Sequence, residues 1–170
     1  MIYKFRLISN EKEGFFCDIE IRSDQTFFDF HYAIQDIFGY DKSQLASFFI
    51  ANEKWEKQQE ITLLDMSQDE SSEDVIVMDK AVLYDFIFEE KQRMIYVFDF
   101  FSERAFFVEL VEITEKEKDV SYPVCTNLTG ETPQQIKISD RYTDDIFEDE
   151  YDETDKDDIF ENLDDYEEFQ

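Results

Sequence analysis

The strongest pattern in the chain predicts two adjacent strands between Arg93 and Thr114, joined by a polar turn at Ser102 and Glu103. Successive residues of a strand point to opposite faces, and here both sets are apolar: Met94, Tyr96 and Phe98 on one face of the first strand, Ile95 and Val97 on the other. A half-solvated sheet would alternate apolar with polar residues. We therefore expect this pair at the centre of a sheet that is covered on both faces.

The first 22 residues predict a β-hairpin with one polar face. Apolar residues alternate with charged ones over residues 1–9 and again over residues 15–22, on either side of a polar turn that ends at Gly14. Cys17 lies on the apolar face of the second strand. A small core residue is the favoured interpretation of this cysteine.

A helix is predicted after Thr26, where apolar residues recur at helical spacing and form the stripe Phe27, Phe30, Ile34 and Phe38. Thr26 and Asp29 have the spacing of a weakened capping box, and Gly39 stands where a residue that ends a helix is expected. His31, the only histidine, borders the apolar stripe. A lone histidine in this position favours a hydrogen-bonded packing residue over a metal ligand or a catalytic base.

The remaining segments predict shorter elements. Residues 46–51 predict a third strand, residues 79–89 a short helix capped by Asp79, and residues 122–125 an extended segment followed by a turn at 127–130. Trp55 opens a polar segment and is interpreted either as a cover for the sheet edge or as an exposed recognition anchor.

The order of these elements predicts a single α+β domain over residues 1–138. It has a mixed sheet, a crossing helix and a β-grasp-like arrangement, and a less regular two-layer sandwich is the alternative.

Charge limits the classes of partner. The 170 residues include 44 acidic and 16 basic ones, a formal net charge of −28. Such a surface repels nucleic-acid phosphates and anionic lipids, so we expect neither direct nucleic-acid binding nor membrane binding, and we expect a basic protein as partner. Two cysteines do not make a disulfide scaffold, and no signal peptide or run of roughly 18 apolar residues is found. The sequence therefore predicts a cytoplasmic protein.

Residues 139–170 carry half of the net charge, with 16 acidic and 2 basic residues and a net charge of −14. Such charge density predicts a tail that is disordered alone or loosely docked. Aromatic residues interrupt the acidic ones, and the expected contacts to a basic partner are Phe147, Tyr151, Phe160, Tyr166 and Phe169. The alternative is a solubilising tail whose aromatic side chains rest on the domain.

Motifs for catalysis and for cofactor or metal binding are weak or lacking. Three glycines allow no phosphate-binding loop, and a single imidazole allows no triad of the usual kind. Cys17 and Cys125 lack the spacing of zinc ligands. Asp152 and Thr154 begin the spacing of a calcium loop, but Lys156 stands at the next ligand position. We therefore expect no cofactor, no metal and no catalytic residues.

Three blocks of the sequence share their order and composition with one known family. They are residues 27–49, with a helix, a glycine turn and a strand; residues 83–100, with a short helix and an Ile-Tyr-Val-Phe-Asp-Phe strand; and residues 122–133, with Tyr-Pro-Val-Cys and a proline. They resemble the Ri-plasmid ORF-three-like proteins, which are also described as TnpR-like passengers of insertion elements. The resemblance covers residues 1–136, leaves the tail outside, and implies that His31, Tyr96 and Asp99 occupy family-motif positions.

The chain also departs from the pattern of that family. Residues 101–107 (FSERAFF) replace a family segment with tryptophan and histidine, and Gln44, Leu45 and Ala46 replace a histidine-rich strand entry. Of the polar positions shared with the family, only His31 and Asp99 match. The resemblance implies no biochemical activity that could be transferred to this chain.

Three functions fit the sequence. The favoured one is a non-enzymatic interaction module whose acidic, aromatic tail engages a basic protein partner. The second is an acidic decoy that imitates nucleic acid, with fixed charges on residues 1–138, which carry the other −14 of the net charge. The third is an enzyme with a cleft of carboxylates, which requires His31 and Asp99 to converge within hydrogen-bond reach.

Overall fold

The computed structural model describes residues 1–67 and 74–136, and those up to Gln135 form one compact unit. The proposed boundary at residue 138 and the tail beyond it lie outside the described residues. The elements, in chain order, are β1 (Ile2–Ile8), β2 (Phe16–Arg22), α1 (Phe27–Phe38), β3 (Ser47–Ala51), β4 (Lys57–Thr62), β5 (Ile76–Val77), α2 (Leu83–Phe86), β6 (Arg93–Asp99), β7 (Arg104–Thr114) and β8 (Val124–Thr129).

The described strands form one sheet in the order β5-β4-β3-β6-β7-β1-β2-β8. Neighbouring strands are antiparallel except β4 and β5, which are parallel. A mixed sheet with few helices confirms the α+β class. β6 and β7 lie in the middle of the sheet, as the apolar residues on both of their faces predict.

The inner face of the sheet, defined as the face toward α1, is packed with aromatic side chains. Phe30 of α1 stacks on Phe5 of β1 at 4.8 Å between ring centroids and on Phe48 of β3 at 5.3 Å. Phe106 of β7 adds a ring contact with Phe98 of β6 at 4.9 Å. These offset and tilted contacts are the favourable geometries for aromatic pairs, and α1 supplies the second layer that buries them.

The outer face is the opposite face of the same sheet, and its residues form rows that cross the strands. Strand register aligns an apolar row of Phe49, Ile95, Phe107, Ile8 and Phe16, in the order from β3 to β2. The adjacent charged row is Arg93, Glu109, Arg6 and Asp18, in the order from β6 to β2, with alternating sign. The outer face is therefore stabilised by cross-strand neighbours of matched chemistry.

The polar segment after Trp55 forms β4, because hydrogen bonds to β3 and the buried side chain of Ile61 outweigh its polar composition. Two local expectations are wrong. The short helix is only α2, with Val82 rather than Asp79 at its N-cap, since Val82 is held extended by a bridge to Thr26. The turn expected at 127–130 is strand as far as Thr129, because its pairing with β2 continues to that residue.

Among the described residues, no helix is long and apolar enough to cross a membrane.

Candidate functional site

α1 is held in place by the capping contacts that its sequence predicts. The Thr26 hydroxyl accepts a hydrogen bond from the backbone N–H of Asp29 at 3.1 Å, and the Asp29 carboxylate accepts one from the N–H of Thr26 at 3.0 Å. Gly39 ends the helix in the left-handed conformation, with φ of 65°. The capping box and the C-cap are thereby confirmed, and they fix which side of α1 faces the sheet.

The side of α1 turned away from the core borders a cleft. This α1–β8 cleft has a volume of about 230 Å³ and lies between α1 and the start of β8. Its lining consists of two aromatic residues, two carboxylates, apolar side chains and a thiol: Phe28, Tyr32, Asp29, Asp36, Ala33, Ile37, Pro123 and Cys125. Aromatic rings beside carboxylates form a surface suited to a cationic group.

An ammonium group of the chain itself contacts two residues of this lining. The Nζ atom of Lys42 lies 3.6 Å from the ring centroid of Tyr32 and 3.4 Å from Oδ1 of Asp36. Interaction with Tyr32, and then with Asp36, raises the pKa of Lys42 above its ordinary value. Tyr32 and Asp36 therefore act together on a lysine ammonium in this geometry.

His31 and Tyr96, two of the predicted site residues, meet in the core. Nδ1 of His31 lies 2.8 Å from the Tyr96 hydroxyl, and the amide Nε2 of Gln35 donates to that hydroxyl at 2.6 Å. Because the hydroxyl accepts from Gln35, its own proton is free to go to Nδ1, which places the imidazole proton on Nε2. Burial lowers the pKa of His31 to about 4, so the ring is neutral at neutral pH. The packing interpretation of His31 is the one that this geometry supports.

Asp99 is held by different partners. Its carboxylate lies 3.5 Å from Nη1 of Arg104 and accepts a hydrogen bond from the N–H of Ser102. Arg104 also makes a two-point contact with Glu11, at 2.6 and 2.9 Å, and donates to the backbone carbonyl of Gln135 at 2.8 Å. Within the described ranges no hydrogen bond joins Asp99 to His31. The enzyme hypothesis requires His31 and Asp99 to meet in one cleft, and their separate hydrogen-bond partners give it no support.

Trp55 lies on the outer face. Its backbone is in the left-handed region, with φ of 62°, and its N–H donates to the carbonyl of Asn52 at 3.0 Å. This tight loop turns the half-buried indole onto Phe107, at 5.1 Å in an edge contact, and under Arg93, at 4.7 Å. Trp55 therefore covers the centre of the sheet, over β6 and β7, rather than its edge.

Sequence reasoning missed the α1–β8 cleft. A signal was present in the spacing of Phe28, Tyr32 and Asp36, which recur every four residues and must share one side of a helix. Pro123 and Cys125 gave no signal, because only the fold brings β8 beside α1. The predicted tail contacts, Phe147, Tyr151, Phe160, Tyr166 and Phe169, lie outside the described residues. In the described part of the chain, no group of three or more acidic, histidine or cysteine side chains could hold a metal ion.

A comparison with models of known protein families shows which family this chain is related to. A family model described as "Plasmid pRiA4b ORF-3-like protein" matches residues 3–169. The chain belongs to this family. The match confirms the resemblance of the three sequence blocks. The expectation that the family likeness stops at residue 136 is wrong, because the matched residues of this plasmid ORF-3-like protein include almost all of the acidic tail.

One solved structure adds a comparison of fold. A protein of unknown function from Methanosarcina mazei Go1 is 23% identical, with a TM-score of 0.61, over 75% of this chain and 68% of that one. At this identity, the likeness shows that the plasmid ORF-3-like chain and the Methanosarcina mazei protein share a fold. Among curated proteins, none matches the chain.

Proposed function

We propose that this protein is a non-enzymatic interaction module that binds a basic segment of a protein partner. The observation that carries the proposal is the α1–β8 cleft, where Tyr32 and Asp36 hold the ammonium group of Lys42. The Lys42 side chain is 41% exposed, so a lysine from a partner could take its place on the same ring and carboxylate.

Long-range charge supports the same function. A net charge of −28 attracts basic proteins and raises their rate of encounter, in a manner that salt weakens. The tail supplies half of this charge, and we propose that its aromatic residues add contacts to the partner: Phe147, Tyr151, Phe160, Tyr166 and Phe169. In this proposal the charge brings the partner close and the α1–β8 cleft selects a lysine side chain.

The test uses a fluorescent lysine-rich peptide and the full chain, with binding followed by anisotropy at low and moderate salt. The double variant Tyr32→Ala, Asp36→Asn is expected to weaken binding about tenfold, because a cation–π contact and an ion pair together contribute on the order of 1.4 kcal/mol. The matched control is Tyr84→Ala, Asp85→Asn on α2, where the tyrosine is 51% exposed and also lies next to an exposed aspartate. Equal affinity of the cleft variant and the control would contradict the proposal.

A tail variant separates the two parts of the proposal. Serine at the five aromatic tail positions leaves the charge unchanged, so the salt dependence should persist and only the added contacts should be lost. If that variant loses all binding while the cleft variant binds normally, the tail alone is the binding site and the role of the α1–β8 cleft is wrong.

A nucleic-acid-mimicking decoy is a second candidate, favoured by the net charge of −14 on residues 1–138. The decoy hypothesis requires carboxylates in a fixed array without compensation. Arg93 and Arg6 alternate with Glu109 and Asp18 in the charged row, so any such array must lie off the outer face. This candidate is tested by competition with DNA for a DNA-binding protein, measured with a variant in which the 16 acidic residues of 139–170 are replaced by asparagine or glutamine. Loss of competition in this variant would contradict the decoy.

Two finer expectations also remain proposals. The N-terminal hairpin followed by α1 across the sheet supports a β-grasp-like arrangement, although β1 pairs antiparallel with β7. The presence of only two cysteines, both free thiols, supports a cytoplasmic location.

A further inference from the structure

Cys17 and Cys125 are 108 residues apart in sequence and neighbours in the fold. Their Sγ atoms lie 3.7 Å apart, and both are free thiols. Cys125 on β8 is opposite Ile19 on β2, which faces the core as Cys17 does. A register shift between Asp18 and Ile19 changes the pairing at this point. Both thiols therefore lie on the inner face of two paired strands.

The sulfur–sulfur distance in this contact is moderately longer than a disulfide bond. A disulfide has an S–S length of about 2.05 Å, so the two sulfur atoms must approach by roughly 1.7 Å. Antiparallel pairing on both sides of the bulge holds the two backbones at sheet spacing, and the thiols are already turned toward each other. Because Cys17 is opposite Leu128 and Cys125 is opposite Ile19, the two cysteines are diagonal neighbours, and closure needs a local shift of the bulged strands as well as side-chain rotation.

Access to solvent differs between the two thiols. Cys17 is fully buried, whereas Cys125 is half-buried and lines the α1–β8 cleft. A small reagent can therefore contact Cys125 through the cleft, and the buried Cys17 can react only with a group that is already attached to Cys125.

The burial of Cys17 gives the same order of reaction. The Cys125 thiol donates to the carbonyl of Asn127 at 3.5 Å, which leaves the Cys17 thiol as donor to the Cys125 sulfur. Burial, and then the neighbouring Cys125, raises the pKa of Cys17, so Cys17 keeps its proton longer.

We infer that Cys17 and Cys125 are a reversible dithiol–disulfide pair, oxidised by a low-molecular-weight disulfide that enters through the α1–β8 cleft. The Cys125 thiolate attacks one sulfur of the small disulfide and releases one small thiolate, which leaves a mixed disulfide on Cys125. The Cys17 sulfur then attacks Sγ of Cys125, and the second small thiol leaves with the proton of Cys17. Two protein thiols are oxidised, and one small disulfide is reduced to two thiols.

The bond would fix an edge strand. Among the described strands, β8 is the last of the sheet and pairs only with β2, and its residues 126–129 are exposed. A covalent link from Cys125 to Cys17 would hold β8 on β2 when the backbone hydrogen bonds open. In a reducing compartment such a bond forms transiently, as a response to oxidation. The inference goes beyond the proposed function and does not depend on it.

The experiment treats the reduced full-length protein with glutathione disulfide, alkylates the remaining thiols, and measures the intact mass and the linked peptides. The expected product is a monomer lighter by two hydrogen atoms, without alkylatable thiols, in which Cys17 is linked to Cys125. Reductant should restore both thiols, and hydrogen exchange in residues 124–129 should be slower in the oxidised form.

Two variants keep the test decisive. Cys125→Ser, at the half-buried position, should lose all reaction with glutathione disulfide in the native state. Cys17→Ala should stop at a stable glutathione adduct on Cys125, and its far-ultraviolet circular dichroism shows whether the core tolerates the change. A wild-type protein that stops at the same adduct, that forms only disulfide-linked dimers, or that keeps both thiols would overturn the inference.

Discussion

The two faces of the one sheet are stabilised in different ways. On the inner face, aromatic rings such as Phe48 and Phe106 are fully buried because α1 packs over them. On the outer face, half-buried rings such as Phe49 and Phe107 lie beside Arg93 and other charged residues in crossing rows. The inner face thus depends on a second layer, whereas the outer face depends on cross-strand neighbours.

Polar side chains differ in the same way. Arg104 points to the inner face, is 7% exposed, and ties three separate segments together through Glu11, Asp99 and the carbonyl of Gln135. Arg6 points to the outer face, where its side chain is 42% exposed and covers one carboxylate, that of Asp18. Buried polar groups on the inner face therefore join distant parts of the chain, and those on the outer face join adjacent strands.

The largest expected effect comes from a matched pair of adjacent phenylalanines on β3. Phe48→Ala should lower the free energy of unfolding by about 3–5 kcal/mol, because it leaves a cavity among buried rings. Phe49→Ala should cost about 1–2 kcal/mol, since its half-buried ring mainly shields Ile95 and contacts Lys57. Urea unfolding of both variants, with equal m-values, measures the difference. Equal losses of unfolding free energy in the two variants would contradict the conclusion that the inner and outer faces are stabilised differently.

The second pair compares the two arginines. Arg104→Met should cost about 3–5 kcal/mol, because it leaves Glu11 and Asp99 without their buried cation. Arg6→Met should cost about 2–3 kcal/mol, because the Asp18 side chain is only 4% exposed, but its single cationic partner is already 42% exposed and water can reach the carboxylate from that side.

Hydrogen exchange distinguishes the two arginine variants by a measurement other than the free energy of unfolding. Only Arg104→Met should release Gln134 and Gln135, whose backbone carbonyls accept hydrogen bonds from Arg104. Release of this segment in both variants, or in neither, would contradict the assignment of the two roles.

Much of the fold could be predicted because it depends on local periodicity. The central strands, the N-terminal hairpin and α1 with its caps each follow from residue spacing within one continuous segment of the sequence. The strand β4 could not, because five of its six side chains are polar and its place is determined by pairing with β3. Tertiary hydrogen bonds overrode a weak local preference in that segment.

The outer face and the α1–β8 cleft could not be predicted, because both depend on strand register. Asp18 was expected on a wet face, yet it is 3% exposed, since register places Arg6 of β1 directly over it. The packing of His31 could be predicted from its place beside an apolar stripe. Its partner Tyr96, 65 residues further along the chain, could not.

The smallest expected effect concerns the neutral His31 of the inner face. Its pKa is about 4 in the folded state, because of burial, against about 6.5 in the unfolded chain. Between these values the unfolded state binds more protons than the folded state, so the contribution of His31 to stability is full above pH 6.5 and is lost as the pH falls. At pH 5 the loss should be about 2 kcal/mol.

The variant His31→Asn isolates this effect. Its amide oxygen can accept the hydrogen bond from Tyr96, whose own pKa is raised by burial, so the tyrosine stays neutral over the whole range. Acid also relieves repulsion among the 44 acidic residues, which stabilises both proteins equally, so the quantity to measure is the difference between their unfolding free energies from pH 7 to pH 5. This difference should shrink by about 2 kcal/mol as the wild type loses its advantage. Parallel pH profiles would show that His31 exchanges protons freely in the folded state, and that the inner face is open to water at this position.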